Sequence, residues 1–296
     1  MDNMDIREKK EQIPELIIPI GLPMSGKTRW AKRHPEYTRH LIDQMETGKS
    51  IEKLRKDLLD GKSCISEALN LSENQRKKIF TGIAGVPCKK RALLFPRHPD
   101  LLKKRAKDHH KEVPDDAWIR FIKKFNMPAA YEGFDTIEIV WGEDTTPVFT
   151  DEIDDFQQNN YHHSLTLGQH LKSAGMFAER SNFSSALVRA AYYHDVGKLW
   201  TKTWINYMGE VDGHAHFYGH AACGAYMYLI DINNRRNSGE EIDLPWECYV
   251  TWLISNHMRP YDWDYYGGIR IKDHTRWSGK EFEDICCLHN VDLQAH

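Results

Sequence analysis

Eight consecutive residues constrain this chain most: Gly21-Leu22-Pro23-Met24-Ser25-Gly26-Lys27-Thr28 fits GxxxxGK[ST] completely. The motif has chemical meaning only between a buried strand and a helix. There the glycines let backbone N–H groups curl around phosphate oxygens, and the helix N-terminus adds partial positive charge. Both flanks fit. Leu16-Ile17-Ile18-Pro19-Ile20, closed by Gly21, predicts a buried parallel strand, and Thr28 to Arg33 predicts a helix. In that setting Gly21, Ser25 and Gly26 shape the loop, Lys27 bridges the β- and γ-phosphates of ATP, and Thr28 offers its hydroxyl to Mg²⁺. The bland alternative is a glycine-rich turn that binds nothing; strand, motif and helix agreeing together argue against it.

With 296 residues the chain has room for two domains. Helical patterns recur around Ile51 to Leu59, Pro99 to His109 and Asp115 to Phe125; Ser63 to Glu67, Arg91 to Phe95 and Thr136 to Trp141 predict strands. Composition then shifts. Gly142 to Asn160 carries a Thr-Thr-Pro turn and an acidic run, and beyond it strand signals fade. Helices are expected at Ser164 to Ala178, Ser184 to His194, Ala221 to Asp231 and Pro245 to Asn256. The expected organisation is an α/β domain with a parallel sheet over 1–145, a linker over 146–160 and an all-α domain over 161–296.

Other features narrow the class. The longest apolar stretch, Leu16 to Leu22, is too short to span a bilayer, and the charged segment Met1 to Gln12 does not read as a signal peptide. Six cysteines without CxxC spacing favour reduced thiols, hence a cytoplasmic protein (host cytoplasm if phage-encoded). A net charge of −3 gives no global argument for nucleic acid, but Val86 to Lys124 holds 12 Lys plus Arg against 5 Asp plus Glu. A solvated helix face is the plain alternative for such a stretch.

From Ile13 to Trp141 the chain resembles the 5′-kinase module of phage-type polynucleotide kinases. Pro23 and Ser25 match the two extra positions of that family's GxPxSGK[ST] loop, Ser66-Glu67-Ala68-Leu69-Asn70-Leu71 matches a second segment, and Val113-Pro114 and Glu132-Gly133-Phe134-Asp135 match a third. The resemblance implies that Asp43, in Leu-Ile-Asp-Gln, is the general base on a 5′-hydroxyl. A Mg²⁺-associated or helix-capping Asp is the alternative role. It also implies a basic lid over ATP within Lys103 to Lys111, with Arg105 as a cofactor-binding cation. Glu46 stands where the family has Arg, Asp108 where it has the lid Arg, and Glu67 where it has Asp.

In the second half, Tyr192-Tyr193-His194-Asp195-Val196-Gly197-Lys198 ends an apolar helix pattern, placing imidazole and carboxylate side by side where they can ligate one cation. His170, His220, His257 and Asp292 are available as further ligands. A lone His near an apolar helix is more often structural, so the joint pattern carries the reading. From Gln157 to His296 it resembles the HD phosphohydrolase superfamily. That implies a first metal on His170, His194, Asp195 and Asp292, with His220 and His257 holding a second metal or orienting phosphate, and Lys198 as a phosphate-facing cation. His162, His163, His214 and His216 stay unassigned. Such ligands suit Mn²⁺, Fe²⁺, Co²⁺, Ni²⁺ or Zn²⁺, and a metal there would activate water for phosphoester hydrolysis.

A kinase and a phosphohydrolase on one chain are futile on the same phosphate but complementary on opposite ends of a broken strand. The leading expectation is therefore an RNA or DNA end-healing enzyme: an ATP-dependent 5′-hydroxyl kinase joined to a 2′,3′-cyclic phosphodiesterase or 3′-phosphatase, preparing ends for a ligase. Lys103, Lys104, Arg105 and Lys107, with Trp118 or Tyr131 as stacking rings, would bind the strand. Two rivals are a nucleoside or modified-base kinase with an HD nucleotidase, favoured by Glu46 and Asp108, and a nucleotide-binding sensor without turnover. No membrane partner is expected, and the oligomeric state stays open.

Overall fold

The computed structural model describes residues 13–42, 47–160, 164–265 and 267–295. The first half holds five strands, β1 (Glu15–Ile20), β2 (Thr38–Leu41), β3 (Cys64–Glu67), β4 (Lys89–Leu94) and β5 (Thr136–Ile139). They form one parallel sheet in the order β2-β3-β1-β4-β5. Around it lie α1 (Lys27–Lys32), α2 (Thr47–Leu59), α3 (Glu73–Gly82), α4 (Pro99–Asp108) and α5 (Asp115–Ile122). β1 is central, and its alternation fills both faces. Leu16, Ile18 and Ile20 join the larger core, whereas Ile17 packs with Ala31, Ile65, Leu93 and Phe95 on the other side. The loop after β1 therefore opens at the carboxyl end of the sheet, where ligands of open parallel sheets sit.

Two elements carry little local signal. β2 reads Thr-Arg-His-Leu; its only strong apolar residue, Leu41, is exposed and its buried one is His40. Pairing with β3 at the sheet edge makes it a strand. α3 is mostly polar, and a capping box between Ser72 and Gln75 sets its start. It is anchored by Arg76, fully buried and doubly hydrogen-bonded to Glu132 at 2.8 and 2.7 Å.

The second half is helical: α6 (Glu152–Asp155), α7 (Leu167–Arg180), α8 (Ser185–Tyr193), α9 (Lys198–Thr201), α10 (His220–Asn237), α11 (Leu244–Asn256), α12 (Arg259–Tyr265), α13 (Gly267–Arg276) and α14 (Gly279–Gln294). One departure from an all-α domain is an antiparallel hairpin, β6 (Thr203–Ile205) and β7 (Val211–His216). Its strands are short and mostly exposed, so no apolar alternation announces them.

The junction between the halves is packed. Gly142 N–H donates to Asn233 Oδ1 at 2.7 Å, and the Asn233 and Asn234 amides donate to Asp144 and Thr146 carbonyls, strapping the chain to α10. Within the expected linker, α6 lies against α7; a Cβ on Gly168 would stand 2.6 Å from Asp154 Cα. Tyr226 of α10 is buried against Phe125, and its hydroxyl donates to the Arg97 carbonyl at 3.3 Å. One apolar core runs through both halves. Among the described residues no helix is long and apolar enough to cross a membrane.

Candidate functional site

The two expected sites are built in different ways. The first is mainly backbone. Gly21 must be glycine for close approach, since a Cβ there would lie 2.9 Å from Ser25 Oγ and 3.1 Å from the Phe95 carbonyl. Gly26 adopts φ 102°, a left-handed conformation that starts α1 without Cβ strain. Asn70 holds the floor: its amide donates to Pro19 and Ser66 carbonyls at 2.9 and 3.1 Å, and Gly21 N–H donates to the Leu69 carbonyl. Lys27 folds over the loop, its ammonium donating to the Gly21 and Leu22 carbonyls at 2.6 and 2.7 Å. Burial pushes this ammonium down to about 7, with the Glu67 carboxylate pulling the other way. Thr28 is exposed at the same mouth.

A cleft of 770 Å³ opens over Lys27 and Thr28, lined opposite by Ile42, Glu67, Lys78 and Lys111. At its floor Arg39 holds Glu67, Nε to Oε1 at 2.5 Å. Arg105 reaches the loop, donating to the Met24 carbonyl at 3.2 Å. Asp43, the expected general base, and Glu46 lie outside the described residues, as do His162 and His163; Ile42 N–H pairs with the Glu67 carbonyl, so the chain leaves β2 beside this cleft. The two expected stacking rings are not platforms here. Trp118 is 1% exposed in the core, and Tyr131 is covered by Arg276, 4.7 Å from its ring centre. Amphipathic placement on α5 takes Trp118 inward, a choice its spacing alone does not reveal.

The second site is built from side chains. His170 projects from the first turns of α7, His194 caps the end of α8 with Asp195 next to it, and His220 opens α10. His257 caps the end of α11, and Asp292 comes from α14. Donor atoms of His170, His194, Asp195 and Asp292 lie within 4.8 Å of one another; those of Asp195, His220 and His257 form a second such set. Asp195 belongs to both. Its Oδ2 lies 3.3 Å from His170 Nε2 and 3.6 Å from His194 Nε2. Its Oδ1 lies 3.1 Å from His220 Nε2 and 3.5 Å from His257 Nε2. Asp292 Oδ1 closes the first set at 3.2 and 3.3 Å from His170 and His194. Gly197 makes this convergence feasible, because a Cβ there would sit 2.0 Å from the His220 carbonyl.

The tautomers follow from the neighbours. Nδ1 of His170, His194, His220 and His257 faces the carbonyls of Ala295, Ala191, Phe217 and Ile254 at 3.1, 2.9, 2.8 and 2.8 Å. A carbonyl only accepts, so each neutral ring carries its proton on Nδ1 and turns the Nε2 lone pair inward. Those lone pairs meet in twos, His170 with His194 at 3.2 Å and His220 with His257 at 3.1 Å, an arrangement that repels unless a cation lies between. The donor set thus fits a divalent metal. A proton competes with a cation for Nε2 of His170. Burial opposes charge on His170, yet hydrogen bonds to Asp195 and Asp292 raise its pKa to about 9. Burial also opposes both carboxylates, but Lys198 and His194 hold Asp195 well below the usual range, and His194 and His170 do the same for Asp292. Burial pushes His257 down to about 4.

Lys198 is buried, with Nζ on Asp195 Oδ2 at 2.6 Å and on Gln158 Oε1 at 2.8 Å. Two participants had no sequence signal. Gln158 comes from the segment expected as a linker, and Tyr261 of α12 donates its hydroxyl to Asp292 Oδ2 at 2.9 Å. No protein-family model matches the chain, and no curated protein matches it.

Proposed function

We propose that the chain is a bifunctional enzyme that heals the ends of broken nucleic-acid strands, a P-loop 5′-hydroxyl kinase joined to an HD-type phosphohydrolase. The observation that carries the reading is the bridging carboxylate: Asp195 presents one oxygen to each of two histidine-bearing donor sets.

In the helical half, His170, His194, Asp195 and Asp292 would hold one divalent cation, and Asp195, His220 and His257 a second. Such a cation polarises a phosphoryl oxygen and eases ionisation of water beside it. The chain's own contribution is to keep the donors ready. Lys198 keeps Asp195 ionised, Tyr261 fixes the second oxygen of Asp292, and four carbonyls fix the imidazole tautomers. Hydrolysis of a 2′,3′-cyclic phosphate or 3′-phosphate would follow.

In the α/β half, the loop from Gly21 to Thr28 would cradle the ATP phosphates, with Thr28 on Mg²⁺. Lys27 would leave its carbonyl contacts for the β- and γ-phosphates, and Arg105 would add charge from the lid. Asp43 would accept the 5′-hydroxyl proton.

The test is a short RNA bearing a 5′-hydroxyl and a 2′,3′-cyclic phosphate, incubated with the protein, ATP, Mg²⁺ and Mn²⁺ and read at both ends by mass. A 5′-phosphate together with an opened or removed 3′-terminal phosphate is expected. Turnover of nucleosides with both RNA ends unchanged would refute the end-healing reading and put a small-molecule kinase in its place.

A further inference from the structure

The hairpin between Lys198 and His220 carries an exposed apolar surface that neither active site uses. Tyr207 is 86% exposed, Val211 74%, Met208 67%, Trp204 45% and Tyr218 43%. An isolated two-stranded hairpin is marginal in water, so this one needs anchors. Its turn is locked by Asn206, whose side-chain oxygen accepts from Met208 and Glu210 N–H groups at 3.0 Å. Its base is locked by Lys202, which donates to the Gln157 carbonyl and Asn159 Oδ1 at 2.5 and 2.6 Å. The surface is therefore held in place.

Contacts link its base to the donor cluster through Phe217 and Lys198, both buried, while the exposed Tyr218 lies two residues from His220. Lys202 Nζ lies 5.5 Å from the Trp204 ring centre and 4.9 Å from that of Phe156. Phe156 meets Phe217 at 6.3 Å, and Phe217 faces Lys198 Nζ at 5.4 Å, which in turn holds Asp195. Tyr218 already stacks on His216, centres 5.4 Å apart and planes 5° from parallel.

We propose that this hairpin is a base-stacking platform for the single strand whose 3′ end enters the metal centre, with Trp204 and Tyr218 as the stacking rings. The inference rests on the end-healing reading for the identity of the polymer. Aromatic faces alternating with cations are what a single strand of any sequence needs: bases stack, and phosphates sit near the ammonium groups. The closeness of the exposed Tyr218 to His220 of the donor cluster favours this occupant over a second copy of the chain, which would cover the hairpin without any relation to that cluster.

The test measures binding in EDTA, so it does not depend on turnover. Fluorescence anisotropy compares a labelled eight-nucleotide RNA with an abasic phosphodiester chain of equal length, on the native protein and on W204A/Y218A. Stacking of one to two bases is worth about 1–3 kcal/mol each, so the expected result is RNA binding at least about fivefold tighter than the abasic chain, an advantage lost in the double variant. Equal binding of both chains to the native protein, or an advantage that survives W204A/Y218A, overturns the proposal. So does a double variant that turns a dimer into a monomer in sedimentation while RNA affinity is unchanged, which would make the hairpin a self-interface. Failure of end hydrolysis with base-dependent binding intact would instead count against the end-healing reading alone.

Discussion

On the proposed function, the loop after β1 and the histidine–aspartate cluster meet the same demand, holding phosphate oxygens, with opposite materials. The loop uses contiguous backbone: two glycines, a helix start and one lysine within eight residues. The cluster gathers side chains from α7, α8, α10, α11 and α14, and its geometry exists only when those helices are packed. The loop should thus depend on a single side chain, Lys27, and on glycine geometry. The cluster should fail collectively through the residue its two halves share.

Exchange of one residue per site tests that contrast most strongly. Lys27→Ala is expected to cut 5′-phosphorylation about 10³-fold, the scale of losing a charge-stabilising donor, and to spare hydrolysis of the 3′ end. Asp195→Asn is expected to cut hydrolysis by at least about 10³-fold and to spare the kinase. Metal content should fall with it at both sets, from two ions per chain to none, read by elemental analysis after gel filtration. If Asp195→Asn kept one tightly bound ion, the carboxylate would not be the shared element.

Stability offers the next test, because one core serves both halves. Arg76 is fully buried between Glu132 and the Asn70 and Leu71 carbonyls. Arg76→Met leaves the buried Glu132 carboxylate without its ion-pair partner and should cost about 3–5 kcal/mol. Since Tyr226, Asn233 and Asn234 tie the halves together, urea should still produce one transition, shifted to a lower midpoint. Two separated transitions, with only the first shifted, would show that the halves fold apart. Smaller again is Tyr261→Phe, which removes one hydrogen bond to Asp292 and leaves the ring against His289. Metal affinity is expected to fall about tenfold, measured by competition with a chelating dye; an unchanged affinity would make Tyr261 a packing residue.

How much of this was legible in the sequence follows the same divide. The strand, loop and helix at 15–32 could be read because each constraint is local: apolar run, glycine spacing, lysine. The cluster residues could be named because six His and Asp positions agreed jointly. That Asp195 serves both sets was not legible; it depends on Gly197 letting α10 approach, a tertiary fact. Tyr261 and Gln158 touch the site through chain separations of 31 and 40 residues, and neither residue type marks a ligand. β2 and the β6–β7 hairpin escaped for a different reason. Hydrogen bonding to neighbouring strands stabilises them, and they bury too few side chains to leave an alternating pattern.

The smallest expected effect concerns one proton, and it separates the two sites by mechanism. The Lys27 ammonium is tucked against the loop, and burial lowers its pKa from 10.5 to about 7. An unfolded lysine holds its proton throughout that interval while the folded one gives it up. Lys27 therefore weakens the fold below pH 7, and this weakening is relieved as pH rises toward 10.5. A triphosphate reverses the balance, since its negative charge favours the ammonium. At pH 8 ATP binding should take up close to one proton, seen as a binding enthalpy that differs between Tris and HEPES in proportion to their ionisation enthalpies. At pH 6, with ATP supplied as its Mg²⁺ complex, the difference should shrink sharply, because the free protein already holds most of that proton. Lys27→Arg, which stays charged at any accessible pH, should abolish the buffer dependence at pH 8 as well. An identical dependence in Lys27→Arg would assign the proton to another group, and the loop would then owe less to its one lysine than its backbone geometry implies.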